Sequence, residues 1–328
     1  MSKHDSLSEF FSGRVKAEIS GKLDVIDRLA GQAVGHSRFY SGLREVKEKA
    51  ESWLPIFLLP FGRETFRACL HLQPGAVASG RLAVVRADDD NQLIEIANSL
   101  EEFVYRALLE EEGWGNEEGK MLKSFPESVA TANAAFGADF YEVGRHGDFR
   151  RDDVEQLMIS HFGGTAYAFY SEAVFLSSPA EKLSYYEQGI AIAPDCMALY
   201  TRAVKALVAL DDRRSAAEHC ARSLDCYHYT AYDTDLETYF EQGRSLLEEF
   251  PDLFSADQQW ALTEADPGAW VRRAKELFDR GEVERADKIL NDVCYGIGDY
   301  TESIGAFRRH YEALGWDWAL ALCDLRTK

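Results

Sequence analysis

The stretch Trp53-Leu-Pro-Ile-Phe57, followed by a predicted turn at Pro60-Phe61-Gly62, begins the most informative part of the sequence. Two short apolar runs come next, Phe66-Arg-Ala-Cys-Leu-His-Leu72 and Arg81-Leu-Ala-Val-Val85, with Pro74-Gly75 and Gly80 between them. Apolar runs of this length, bounded by glycine and proline, are typical of strands joined by a turn.

A third strand and a helix are predicted directly afterwards. Leu93-Ile-Glu-Ile96 is extended in pattern, and Asn98 or Ser99 is a suitable N-cap for the helix that follows. Glu101 and Glu102 fall in its first turn, and its apolar residues recur on one face, namely Leu100, Phe103, Val104, Ala107 and Leu108. The stretch therefore predicts the order strand, strand, strand, capped helix.

This order of predicted elements, with these sequence motifs, resembles the SUKH superfamily, which includes bacterial immunity proteins and yeast regulators of cell-wall synthesis. The resemblance covers roughly residues 52–109, about a sixth of the chain. Its matching residues are Trp53, Pro55, Gly62, Cys69, Leu70, Leu72, Pro74, Gly80, Ile96, Ala97, Ser99, Leu100, Glu102 and Phe103. The chain departs from the family in two places. The usual Leu-Pro-x-x-Tyr-x-x-Phe opening is not found before Trp53, and the acidic-Gly-Gly turn is reduced to Phe61-Gly62.

Helices are predicted before this stretch. Apolar residues recur at helical spacing from Phe10 to Leu29, with Gly21 as a weak point, and a second helix is expected over residues 41–50. A helix that covers the following sheet explains this pattern better than a binding role.

The second half of the chain predicts a helical repeat. Tyr185–Pro194 resembles the second helix of a tetratricopeptide unit, and the next unit has Tyr200, Ala203, Leu207 and Ala216 at its packing positions. Trp270, Ala274, Leu277, Gly281 and Ala286 follow the same large-and-small spacing, which lets paired helices approach closely. We expect about four helix pairs, ending in a helix with Trp316, Trp318, Leu320 and Leu322.

The predicted fold is therefore an α+β domain over residues 1–145 and a tetratricopeptide-like, all-α domain over residues 146–328. The α+β domain has a small antiparallel sheet with flanking helices. The turn-like segment from Gly144 to Asp148 marks the boundary.

Charge limits the partners. The chain carries 56 acidic and 36 basic residues, a net charge of −20, so nucleic acid is not an expected ligand. An acidic surface either attracts a basic protein or only maintains solubility, and both explanations stay open. The N-terminal residues are polar and no run is long enough for a membrane span, so neither a secretory signal nor a membrane partner is expected. Six scattered cysteines, expected to be buried and reduced, favour a cytoplasmic location.

Motifs of known chemistry are scarce in this sequence. The chain has no Gly-rich phosphate loop, Gly-x-Ser-x-Gly elbow or His-Glu-x-x-His helix. The cysteines and histidines from His219 to His228 do not have the spacing of a zinc site. His161-Phe-Gly-Gly164 and Arg145-His146 with Asp148 are better explained by helix packing and an exposed linker. No enzyme activity, catalytic residue, cofactor or metal is predicted.

A protein-binding function remains. The SUKH resemblance implies an immunity protein that neutralises a cognate bacterial toxin, a polymorphic or secreted effector, by direct contact. A cationic nuclease is one toxin class that suits the charge. The alternative is a scaffold or regulatory adaptor whose helical array binds peptides or partner proteins. The candidate contact residues are the acidic segment with its tryptophan and the tyrosines of the array, namely Glu101, Glu102, Glu110, Glu111, Glu112, Trp114, Tyr167, Tyr170, Tyr200, Tyr229 and Tyr232.

Overall fold

A computed structural model describes most of the chain. The described residues are 6–50, 54, 57–63, 66–72, 77–78, 82–87, 93–226, 236–264, 266–282, 285–286, 289 and 301–326. Several residues named from the sequence lie outside these ranges, namely Trp53, Pro55, Pro74, Gly75, Gly80, Tyr229 and Tyr232.

The first half contains a sheet with flanking helices. Its elements are α1 (Leu7–Phe10), α2 (Ala17–Leu29), β1 (Ala33–Val34), β2 (Ser37–Phe39), α3 (Leu43–Lys49), β3 (Leu58–Arg63), β4 (Arg67–His71), β5 (Val84–Ala87), β6 (Leu93–Ala97), α4 (Leu100–Glu117) and α5 (Phe125–Phe136). The strands lie side by side in chain order, and the four described pairings, β1–β2 through β4–β5, are antiparallel.

The second half is helical throughout its described part. A 3-10 turn at Arg151–Asp153 leads into α6 (Val154–Phe162), α7 (Ala166–Phe175), α8 (Pro179–Ile192), α9 (Met197–Ala209), α10 (Arg213–Ser223), α11 (Leu236–Glu249), a 3-10 turn (Pro251–Leu253), α12 (Ala256–Thr263), α13 (Pro267–Asp279), α14 (Thr301–Leu314) and α15 (Asp317–Arg326). The predicted fold class is confirmed: an antiparallel sheet with helices, then a helical region.

The capped helix after β6 is also confirmed. Ser99 is the N-cap of α4, and its hydroxyl accepts a hydrogen bond from the backbone N–H of Glu102 at 3.2 Å. The Glu102 carboxylate accepts in return from the backbone N–H of Asn98 at 3.0 Å, so two otherwise unpaired backbone donors are satisfied. The face with Leu100, Phe103, Val104, Ala107 and Leu108 is buried.

The predicted turn at Pro60-Phe61-Gly62 is wrong. These residues lie inside β3, where the register with β4 shifts between Pro60 and Gly62. A proline has no N–H to give to a sheet, and a shift in register accommodates it without ending the strand. Phe61 from this strand then packs against Phe39 of β2 and Phe103 of α4, with ring centroids 5.6 and 5.5 Å away.

The sequence did not predict the β1–β2 hairpin. Val34 pairs with Ser37, which leaves Gly35 and His36 as a two-residue loop. Gly35 has a φ of +59°, the left-handed conformation that suits glycine at the first position of such a loop. A Cβ atom at Gly35 would lie 2.4 Å from the carbonyl oxygen of Ala107, so the hairpin sits directly on α4.

Contacts divide the chain into two compact units, and the division differs from the predicted domains 1–145 and 146–328. The first unit contains residues 1–88, 96–163 and 301–328; the second contains 89–95 and 164–300. The C-terminal helices α14 and α15 join the first unit because their aromatic side chains pack on the start of β3. Phe57 lies 5.8 Å from Tyr311 and 5.4 Å from Trp318, measured between ring centroids. Arg326 donates a hydrogen bond to the carbonyl oxygen of Leu58 at 2.9 Å.

The second unit has the close helix packing that its sequence predicts. Tyr200, Ala203, Leu207 and Ala216 are all buried in the α9–α10 pair. Ala274, Leu277, Ala286 and Ile289 form a buried cluster, with Gly281 in the left-handed conformation (φ +78°) between its two halves. At Gly189 of α8, a Cβ atom would lie 2.9 Å from the end of the Leu199 side chain, so α8 and α9 approach closely at this glycine.

Candidate functional site

The predicted acidic segment lies along α4, but much of it faces inward. Glu111 and Glu112 expose 1% and 3% of their surface. Glu111 accepts a hydrogen bond from the Ser124 hydroxyl at 2.9 Å. Glu112 accepts from the Tyr141 hydroxyl at 2.6 Å and from the Gly144 backbone N–H at 2.7 Å. The prediction that these two carboxylates contact a partner is therefore wrong, because they hold the following segment onto the helix.

Three other acidic residues of α4 have partners within the first unit. Glu110 forms an ion pair with the buried Arg106 at 2.9 Å, and Glu155 of α6 meets the same guanidinium at 2.5 Å. Glu101 pairs with Lys22 of α2, and Glu102 belongs to the helix cap already described. These three side chains are half-buried; Glu101 and Glu110 each lie beside a cation, and Glu102 caps the helix. They contribute to packing more than to an exposed acidic surface.

Trp114 is half-buried against the hairpin loop. Its ring centroid lies 5.4 Å from that of His36, at an interplanar angle of 50°. Part of the indole remains accessible, so the predicted contact role for Trp114 stays a prediction.

The tyrosines of the helical array divide into three groups. Tyr170 and Tyr200 are each only 4% exposed, so the predicted contact role is wrong for both. The Tyr170 hydroxyl accepts from Arg202 at 3.0 Å, while burial raises the pKa of Tyr200 to about 12. Tyr167 is half-buried and remains a candidate. Tyr229 and Tyr232 lie outside the described residues.

The first unit has an open cleft at the C-terminal end of α4, which sequence reasoning missed. Its volume is about 810 Å³. The walls are the last turn of α4 with residues 119–121 on one side, and residues 148–153 on the other. Four carboxylates and two cationic side chains line it. The carboxylates belong to Glu117, Asp148, Asp152 and Asp153, and the cationic side chains are Lys120 and Arg150. All six are exposed, so the cleft presents a net negative, solvated surface.

Two glycines of α4 explain why the cleft forms there. A Cβ atom at Gly113 would lie 2.9 Å from the backbone nitrogen of Arg151, and one at Gly115 would lie 2.9 Å from the Met121 sulfur. The chain can therefore pack its backbone directly on the helix, where Asn116 donates to the Phe149 carbonyl oxygen at 3.0 Å. The acidic residues from Asp148 to Asp153 were the available sequence signal, but only Asp148 fell in the predicted linker and no local pattern placed the others against α4.

Two histidine motifs also lie close together in this unit. From the sequence, the motif at His161 was explained by helix packing and the motif at His146 by an exposed linker. His146 and His161 lie beside Tyr105, and the Tyr105 hydroxyl is 2.7 Å from the Nε2 atom of His146. Within the described ranges, no group of three or more His, Cys, Asp or Glu side chains is arranged to hold a metal ion. The five described cysteines are buried and free.

A scan against protein-family models matched none, and searches of the curated proteins and of the solved structures returned no significant match. None of the described helices combines the length and the apolar character that a membrane span requires.

Proposed function

We propose that this protein is an immunity protein that neutralises a cognate toxin by binding to it. The observation that carries the proposal is the acid-lined cleft at the C-terminal end of α4. The N-terminal end of the same helix contains residues that resemble the SUKH superfamily. A protein inhibitor needs no catalytic group, only a complementary surface of roughly 800 Å² per partner with a few strong anchors. The cleft, the half-buried Trp114 beside the hairpin and the polar end of α4 supply such features.

The partner expected from the charge is basic. A net charge of −20 and the excess of carboxylates in the cleft attract cationic proteins at long range and speed their encounter. Arginine and lysine side chains of a toxin fit this cleft, and a cationic nuclease has many of them. Because these charges are exposed, binding should weaken as salt screens them.

The test is co-expression of the tagged protein with the product of the adjacent gene, followed by purification at low and high salt. We expect one stoichiometric partner that is toxic when expressed alone and whose retention falls with salt. Recovery of no such partner, or a neighbouring gene product without toxicity, contradicts the proposal.

A scaffold function is the second candidate, because the helical array exposes two large apolar side chains. Phe175 and Val174 at the end of α7 expose 82% and 52% of their surface. An exposed phenylalanine is a side chain that could anchor a partner. An adaptor that uses these two side chains would bind several partners with modest affinity, and the substitution Phe175→Ser would weaken all of them. An immunity protein that uses the cleft would be unaffected by this substitution.

A further inference from the structure

Two histidines from different parts of the first unit converge on one tyrosine. The ring of His161 stacks on that of Tyr105, with centroids 5.3 Å apart and planes 12° from parallel. His146 reaches the Tyr105 hydroxyl at 2.7 Å, and the two imidazole centroids are 5.5 Å apart. Tyr105 itself is 3% exposed, whereas His146 is half-buried and His161 is exposed. Protons from solvent can therefore reach the imidazoles.

His146 lies on the segment from Tyr141 to Phe149, which crosses α4. Side-chain hydrogen bonds hold this segment on the helix. Two of them end on the Glu112 carboxylate, from the Tyr141 hydroxyl and the Gly144 N–H, and another joins His146 to Tyr105. The segment ends at Phe149, which lines the cleft together with the residues that follow it. A change at the histidines would thus be transmitted along a short piece of chain to one wall of the cleft.

Burial and the neighbouring charges disfavour protonation of His161. Burial lowers the pKa of His161, and His146 and Arg145 lower it further. On the α4 side, burial raises the pKa of Tyr105, so this hydroxyl stays neutral. The carboxylate that acts on Tyr105 is that of Glu112, which already accepts two hydrogen bonds. The aromatic rings of Phe140, Phe149 and Phe162 pack against the rest of the cluster and offer no counter-charge.

We propose that His146, Tyr105 and His161 form an acid-sensitive latch, which holds segment 141–149 on α4 when both imidazoles are neutral and loosens it when they are protonated. Two imidazolium ions 5.5 Å apart, with Arg145 beside them, repel one another. Opening the segment separates these charges and hydrates them. Acid therefore favours the open segment.

The direction of the pH effect follows from linkage. The pKa of His161 is lower in the closed segment than its ordinary value of about 6.5, so the open segment binds more protons. The stability of the closed segment is fully present above that pH and is lost as the pH falls towards the lowered pKa. Over this fall in pH, the equilibrium constant for opening should rise about tenfold for each unit that separates the pKa values of His161 in the open and closed segments.

For the proposed immunity function, the latch would release the basic partner at acidic pH, because one wall of the cleft moves. This consequence rests on the proposed function, but the latch does not. It can be tested on the full chain alone, without any partner.

The experiment is amide hydrogen exchange of the full chain between pH 7.5 and 5.5, with rates corrected for the intrinsic effect of pH. We expect the protection of the Gly144 amide to fall by about three- to tenfold over this range. The amides of α2 should keep their protection and serve as the internal reference. In His161→Gln the fall at Gly144 should largely disappear, because the second charge is missing.

The matched control is His36→Gln, an exposed histidine of the same unit that packs on Trp114. It should leave the pH response of Gly144 unchanged. A flat response in the unmodified protein would overturn the latch. A response that persists in His161→Gln would overturn it too, since it would assign the effect to Glu112 or another carboxylate.

Discussion

The substitution Gly35→Ala tests how closely the β1–β2 hairpin packs on α4. Gly35 has a φ of +59°, and an added Cβ atom would lie 2.4 Å from the Ala107 carbonyl oxygen, 2.9 Å from its carbonyl carbon and 3.2 Å from its Cβ. The left-handed conformation costs an alanine roughly 1–2 kcal/mol. Relieving the overlap requires the hairpin or the helix backbone to move, which costs about 1–3 kcal/mol more. We therefore expect a loss of about 2–5 kcal/mol in the free energy of unfolding.

Gly119 provides a matched control, because it has a φ of +63° and a Cβ atom added there would meet no atom within 4 Å. Gly119→Ala should lose only the conformational term, roughly 1–2 kcal/mol. The assay is urea unfolding followed by tryptophan fluorescence, with hydrogen exchange of α4 amides to assign the loss to the first unit. Equal losses for the two variants would refute the close packing of the hairpin on the helix.

Three further substitutions test other parts of the structure. Arg106→Ala should destabilise the first unit by about 3–5 kcal/mol, because it leaves the buried Glu155 carboxylate without its cation. Thermal unfolding measures this loss. The control is Arg44→Ala, which removes an exposed ion pair and should cost no more than about 1 kcal/mol. Ser99→Ala should cost about 1 kcal/mol through loss of the α4 cap, and a change below a few tenths in urea unfolding would contradict the cap. Gly189→Ala in α8 should change the stability of the second unit by less than about 1 kcal/mol, because the end of the Leu199 side chain can move away and alanine favours the helix by about 1 kcal/mol; a loss above about 2 kcal/mol in urea unfolding would contradict this.

The local pattern of the sequence was sufficient for part of the fold. β4, β5, β6 and α4 could be predicted because alternation, glycine and proline boundaries and a serine cap act over a few residues. The β1–β2 hairpin has strands of two and three residues, too short to show alternation. The grouping of α14 and α15 with the sheet depends on long-range ring contacts such as Phe57 with Trp318, which no local pattern encodes.

The candidate site was less predictable for a related reason. A run of glutamates on a helix usually means an exposed surface. Here Ser124, Tyr141 and Gly144, all later in the chain, supply the hydrogen bonds that allow Glu111 and Glu112 to be buried. The acid-lined cleft forms only when residues 148–153 fold back on α4, and the two histidine motifs meet at Tyr105 for the same reason.

The proposed function predicts that the acid-lined cleft is needed to neutralise a basic toxin. The most direct measurement is survival of cells that express the product of the adjacent gene together with this protein or its variants. The double substitution Asp148→Lys with Asp152→Lys reverses two exposed charges of the cleft, and Glu18→Lys with Asp24→Lys makes the same charge change on the exposed side of α2. We predict that the cleft variant folds but loses protection by at least about tenfold in viable count, while the α2 variant protects fully. Equal protection by both variants would contradict the proposed function.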